Sequence, residues 1–302
     1  MKIFCLLFLV SALFFACQST HEKVTERLAN RFGQFEGAAG LYVERLDTGE
    51  KFSINADTLF PTASMIKVPI LIALFQKIEE GALGYQDNLV WYADSINYPY
   101  GDGILYSFED GREIPLSKVI SLMITYSDNH ASLWCQALAG GGETINAWLA
   151  EHGLEHTRVN SRTPGRNDDW QKYGWGQTTP KEMARMLTMI RNGEAVSPAA
   201  SERMFRILGN IYWDGEALSE IPPQIKTISK QGAVSESRSE VVLVNAPSFD
   251  YVFCIITNNQ QDTGWAHENS GYVLIRDISR MLWKYFEPDY PWRPADGMEK
   301  YY

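Results

Sequence analysis

The sequence predicts an α/β chain of the α+β kind: an antiparallel sheet with flanking helices, built from both termini around an inserted all-helical domain. Three observations predict it. Two β-rich runs flank the turn Asp47-Thr48-Gly49 near the start, a hairpin signal with Gly at the tight position. Helical periodicity then dominates from Ser64 to Asn192. Three further β-rich runs and an amphipathic helix close the chain. Strands at both ends around a helical middle divide the sequence into 17–60 with 213–302, a discontinuous α/β domain, and 61–212, all-helical.

Each element follows from its pattern. Glu22 to Phe32 reads as a short amphipathic helix, then Gly37 to Arg45 and Glu50 to Ile54 as the paired strands. Ser64 to Glu80 carries apolar residues on nearly every side, so a helix buried all round is expected, with Gly81 placed to stop it. Helical spacing recurs at Leu116–Tyr126, Asn129–Leu138, Glu143–His152 and Lys181–Asn192. Thr178-Thr179-Pro180 before the last of these has the cap-then-proline form of a helix start. Ile225–Lys230, Glu240–Asn245 and Tyr251–Thr257 are the closing strands, and Gly271–Phe286 the closing helix. Cys135 and Cys254 fall in apolar helix and strand patterns and read as small buried hydrophobes rather than a disulfide pair.

Composition bounds the function. The 302 residues are 45% hydrophobic and carry a net charge of −10. A nucleic-acid partner would want a basic face, so it is excluded from the expectations. Lys2, the apolar run Ile3–Phe15 and Ala16 have the layout of a secretory signal peptide over 1–16, too short to span a bilayer. Leu13-Phe14-Phe15-Ala16-Cys17 resembles a relaxed bacterial lipobox, in which Cys17 becomes the lipidated residue. The expectation is therefore an exported protein, periplasmic or held at a membrane only through a lipid at Cys17, and monomeric.

Three short strings carry chemistry. In Ser64-Met65-Ile66-Lys67 the Ser and Lys are three apart at a helix start and share a face. A Lys on an apolar helix is costly unless paired, and desolvation lowers its pKa toward a usable base for the hydroxyl. A chain of this length holds about one Ser-x-x-Lys by chance, so this string carries little weight alone. Ser127-Asp128-Asn129 offers a second hydroxyl and an amide, and is equally good capping material for the helix that follows. Lys230-Gln231-Gly232 ends a strand with a cation and a glycine that lets a neighbour lie close. No metal is implied, because the His152/His156 pair is interrupted by Gly153, and no cofactor motif is present.

Together, and in this order, the three strings resemble the Ser-x-x-Lys, Ser-Asp-Asn, Lys-Thr-Gly set of class A β-lactamases and penicillin-binding proteins. Phe60-Pro61-Thr62-Ala63, Met123-Ile124-Thr125-Tyr126 and Thr178-Thr179-Pro180 resemble the same family, and the likeness runs from about residue 22 to 287. It implies that Ser64 is acylated with Lys67 as base, that Ser127 passes a proton to the leaving nitrogen, and that Lys230 polarises Ser127. Asn129 would hold the substrate amide and Lys230 the substrate carboxylate, beside Gln231 and Gly232. The backbone N–H groups of Ser64 and Ala233 would form the oxyanion hole. Asn167 and Arg238 complete the implied binding set, with Arg238 one residue short of the family's spacing, and His130 is expected to be structural.

Two departures stand out. Gln231 replaces the usual Thr or Ser. In the family's Glu-Pro-x-x-Asn string, whose Glu activates the deacylating water, this chain has Thr163-Pro164-Gly165-Arg166-Asn167. Threonine is no base near neutral pH, and loss of such a base costs about 10²–10⁴ in rate. Acylation is thus provided for, and deacylation lacks its usual base. Three functions follow in order: a β-lactamase-like serine hydrolase acting on β-lactams; a peptidoglycan D-alanyl carboxypeptidase, esterase or penicillin-binding lipoprotein; and a non-catalytic lipoprotein that binds cell-wall peptide.

Overall fold

The computed structural model describes residues 20–302. The signal-peptide reading of 1–16 and the lipidation site Cys17 lie outside the described residues. None of the helices described is long and apolar enough to cross a membrane.

The sheet is made from both ends of the chain. Strands β1 (Ala38–Arg45) and β2 (Lys51–Ile54) form the early hairpin, its turn closed by Gly49 at φ +72°. Strands β8 (Lys226–Val234), β9 (Ser237–Asn245) and β10 (Asp250–Asn258) add to β1 in the order β2-β1-β10-β9-β8, all antiparallel. This agrees with the α/β expectation. Strand β10 shows why the late runs read as continuously apolar: Val252, Cys254 and Ile256 enter one core, while Tyr251, Phe253 and Ile255 enter the other. Both faces of the sheet are covered, so alternation is lost.

Helix α1 (residues 20–33) presents Val24, Leu28 and Phe32, four apart, to the outer face of the sheet. The closing helix α10 (Ser270–Phe286) packs on the same face through Leu274, Ile278 and Leu282, capped by Asn269. On the inner face lie α2 (Lys67–Glu79) and, after the short β3 (Phe60–Pro61), β4 (Asn88–Val90), α3 (Ala93–Ile96) and β5 (Glu113–Pro115), the helices α4 (Leu116–Thr125), α5 (Asn129–Leu138) and α6 (Gly141–Glu151). Strands β6 (Arg158–Val159) and β7 (Gly176–Thr178) flank α7 (Asn167–Tyr173), and α8 (Pro180–Asn192) and α9 (Pro198–Leu208) complete the set. Helix α2 is the axis of this body, buried from Lys67 to Phe75 and packed by α4, α5, α6 and α9. Helix α8 packs on strands β1, β9 and β10 and against α9.

The structure shifts some boundaries for identifiable reasons. The helix expected from Ser64 is a 3-10 turn over Ala63–Ile66, and α2 proper begins at Lys67. Pro69 has no N–H to give to the carbonyl of Met65, so regular α bonding cannot run through it, and it is tolerated only in the first turn. Strand β9 begins at Ser237, three residues before the expected Glu240, because the tight hairpin from Val234 to Ser237 draws the polar Ser237-Arg238-Ser239 into the ladder. Helix α9 was not expected, although Ser197 caps it and Pro198 opens it. Cys135 and Cys254 are buried free thiols, as their patterns suggested.

Candidate active site

From Pro61 to Phe75 every residue is buried except Ser64. The 3-10 turn exists to lift that one hydroxyl out of the core, with Ala63 at φ +44° forcing the chain to bend just before it. The Lys67 ammonium cannot reach water and ends among oxygens. Its Nζ lies 2.8 Å from Ser64 Oγ, 2.8 Å from the Ser127 carbonyl oxygen, 3.1 Å from Ser127 Oγ and 2.9 Å from Asn129 Oδ1. Burial pushes this amine down to about 7, against the pull of Asp128 and Asp102.

Ser127 comes to the same point from a different direction. It sits in the left-handed region at φ +60°, a conformation a serine holds only when its surroundings impose it. Asp128 imposes it. One Asp128 oxygen accepts the N–H of Ala131 at 2.9 Å and caps α5, and the other accepts the N–H of Leu105 at 2.8 Å. The capping function of the string therefore belongs to Asp128, which leaves Ser127 free to face Lys67.

Lys230 arrives on edge strand β8, fully buried, with Nζ 3.0 Å from Ser127 Oγ. Its amine is held well below the usual lysine range by burial first and by Lys67 second. It also meets Gln231 Oε1 at 3.1 Å, which turns the unusual glutamine toward the lysine. Gly232 is required by packing: a Cβ there would stand 2.7 Å from the Thr62 carbonyl and from Ser239 Oγ. It lets β8 lie directly against the turn that carries Ser64.

Ser64, Ser127, Asn129, Gln231, Gly232 and Ala233 line one cleft of ≈ 370 Å³. Lys67 and Lys230 lie beneath it. Two expected binding residues are elsewhere. Asn167 opens α7 and lines a separate cavity of ≈ 860 Å³ with Thr163. Arg238 does not line the cleft, because its two terminal nitrogens are taken up by the carbonyls of Val234, Ser235, Ser237, Thr263 and Gly264. It stacks instead behind Trp265 and Tyr272, which do line the cleft. His130 is buried against Trp91 and Tyr98, with Nδ1 at the Asp102 carbonyl, as a structural residue would be.

Thr163 is buried, and its hydroxyl donates to the Ser161 carbonyl at 3.1 Å. It points at α6, where a Cβ on Gly142 would collide with it. Asp169 pairs with Arg166 at 2.8 Å, and Asp168 is exposed. No residue of 160–175 lines the cleft. The cleft walls that sequence reasoning missed are Asp102, Trp213, Glu216 and Trp265, which sit in connections without a motif, and Tyr272 in the first turn of α10.

A cleft that reaches Ser64 and Ser127, with Lys67 and Lys230 buried beneath it, fits the resemblance of the three strings, and the comparison of sequences decides the kinship. A profile of the beta-lactamase enzyme family matches residues 23–286. The chain belongs to that family. It is 18% identical over 275 residues to beta-lactamase VEB-1 of Pseudomonas aeruginosa, covering 88% of this chain and 91% of the relative. Its fold superposes on the beta-lactamase of Sphaerobacter thermophilus with a TM-score of 0.77 at 24% identity, over 89% of this chain and 98% of that one. It superposes equally on a mutant of PBP-A in acyl-enzyme complex with penicillin G, with a TM-score of 0.76 at 27% identity, over 90% and 97% of the two chains. The proteins it resembles thus include several named as β-lactamases and one named PBP-A, and the family makes the protein a hydrolase of the beta-lactamase type.

Proposed function

We propose that the protein is a serine acyl-transfer hydrolase that opens β-lactams by acylating Ser64 and releases the acyl group slowly. The observation that carries this is the 2.8 Å contact between Ser64 Oγ and a fully buried Lys67 Nζ. A neutral amine has two protons and one lone pair. The Ser127 carbonyl and Asn129 Oδ1 are acceptors only, so they take the two protons. The lone pair then faces Ser64, whose hydroxyl donates to it. As Ser64 Oγ attacks the carbonyl carbon, its proton passes to Lys67 Nζ.

Ser127 completes the step. Once Lys67 has taken the Ser64 proton, its third N–H is available to Ser127 Oγ, which also accepts from Lys230, so the hydroxyl proton of Ser127 is left for the leaving nitrogen. When the C–N bond breaks, that proton goes to nitrogen, and Lys67 returns the one it took to Ser127. Ser64 and Ala233 both line the cleft, which supports their backbone N–H groups as the donors for the oxyanion. Asn129 lines the cleft and suits the acyl side chain, and Lys230, buried beneath it, keeps Ser127 polarised.

Deacylation is where this chain departs from its resemblance. The position of the usual glutamate is Thr163, which is engaged with Ser161 and faces away from the cleft. Water must be activated by Lys67 itself, in its neutral form, or the acyl-enzyme persists. Persistence favours a second reading, a penicillin-binding acceptor whose natural donor is a cell-wall peptide. The apolar N-terminal run and Cys17 support export and lipid anchoring in either case.

The test is intact-protein mass after mixing the soluble domain with benzylpenicillin, followed from seconds to hours. An adduct on Ser64 that clears as product accumulates supports the β-lactamase. One that lasts for hours supports the acceptor. A folded sample that never gains mass overturns both.

A further inference from the structure

The wall of the cleft beyond Lys230 carries a charge opposite to the one a penicillin would want. Glu216 lines the cleft, half-buried, at the start of the 3-10 turn Ala217–Glu220. The N–H of Ala217 donates to Glu240 at 2.8 Å, and Glu240 pairs with Gln231 across the sheet. This fixes Glu216 beside the end of β8, on the side where Lys230 and Ser127 meet the leaving group.

Its carboxylate takes part in no ion pair among the described residues. Arg238 and Arg276 are the cations near enough to act on it, and both direct hydrogen bonds to backbone carbonyls instead. No lysine, arginine or histidine among the described residues lines the cleft. Two indole rings line the same cleft as Glu216. Trp213 is 48% exposed, with its Nε1 tied to the Tyr126 carbonyl at 3.0 Å, and Trp265 is 65% exposed. Arg238 covers one face of Trp265, and the exposed remainder of the two indoles shares the cleft with a carboxylate outside any ion pair. That is the chemistry that recognises an alkylammonium, by Coulomb attraction and by the ring quadrupole together.

We propose that Glu216, with Trp213 and Trp265, forms a subsite for a cationic amine on the leaving-group side. The cleft then favours acyl donors whose leaving group carries an alkylammonium over donors whose leaving group carries a carboxylate. The inference rests on the reading of Ser64 as the acylated nucleophile. It gives that reading a substrate class: esters or amides with a positively charged leaving portion.

The experiment uses three esters with one acyl group: phenylacetylcholine, phenylacetyl glycolate and neutral ethyl phenylacetate. The expected ratio of kcat/KM between the choline and glycolate esters is about tenfold or more in favour of choline at low salt. Glu216→Gln collapses the ratio to about one, and Glu216→Lys inverts it. Trp213→Leu lowers the choline advantage measured against the ethyl ester. Glu216→Gln also speeds acylation by benzylpenicillin, whose carboxylate the glutamate repels. A ratio near one in the native protein, or one that Glu216→Gln leaves intact, overturns the inference while the acylation of Ser64 stands. If no ester and no penicillin modifies Ser64, the functional reading fails. Calorimetric binding of phenylacetylcholine to Ser64→Ala, and its loss in the double variant with Glu216→Gln, then still decides the subsite.

Discussion

The turn that carries Ser64 and the loop from 160 to 175 are built from similar materials, yet they spend their polar groups in opposite ways. Around Ser64, polar atoms point at one another: Lys67 and Lys230 converge on the Ser64 and Ser127 hydroxyls within about one hydrogen-bond length, and Asn129 accepts from Lys67. In the loop, the polar atoms stitch the chain to itself. Arg166 reaches Asn160 and Gln177, Gln136 clasps Ser161, and Thr163 bonds the Ser161 carbonyl. The first arrangement stores chemistry, and the second stores shape. The groups proposed to form an acyl-enzyme thus converge, while position 163 serves to anchor the loop.

The largest effect that sharpens this contrast is at Ser64. Ser64→Ala removes the covalent adduct with benzylpenicillin entirely, read by intact mass, and an adduct of equal yield elsewhere would sink the assignment. Lys67→Met keeps the volume of the side chain and removes the base, so the second-order acylation rate falls by about 10²–10⁴. A loss of less than about tenfold would mean that another group accepts the Ser64 proton.

Acidity gives the next effect. Lys67 works as a base only when neutral, and its amine is pushed down to about 7 by burial. The acylation rate should therefore be flat above that pH and fall about tenfold per unit below it. A profile still rising at pH 9 would show that the amine is not depressed. Gly232→Ala drives a Cβ against the Thr62 carbonyl and Ser239, and should cost about 1–3 kcal/mol in urea unfolding while slowing acylation. Free tolerance of the methyl group would show that β8 and the Ser64 turn are not held in contact.

The smallest change is the most informative about the loop. Thr163→Glu should leave the deacylation rate within about threefold, well short of the 10²–10⁴ that a placed base supplies, because position 163 faces Ser161 and α6 rather than the cleft. A burst of turnover from this single substitution would show that the loop can swing its side chain to the acyl-enzyme.

The site was legible in part. Lys67 was recognisable because a cation three residues from a serine on an apolar helix has few reasons to be there. Asp128 and Ser127 could not be separated, since either residue caps a helix, and only the left-handed backbone of Ser127 distributes the roles. Arg238 was expected in the cleft by its spacing along a strand. The structure turns it to the carbonyls of its own hairpin, a choice that spacing does not encode. Glu216 and Trp213 carried no signal, because they belong to a connection whose path depends on what it packs against.

The sequence by itself determined the elements with strong period and the three strings of reactive residues, because helix burial, turn chemistry and local spacing act over a few residues. It also determined that position 163 is not a glutamate. Only the tertiary structure decided which oxygens share the Lys67 amine, which arginine is unavailable, and which carboxylates line the cleft. The amine contacts join residues 60 to 103 positions apart that meet across α2, α5 and the edge of the sheet. A charge or a hydrogen bond falls off within a few ångströms, so its partner is fixed only once the chain is folded.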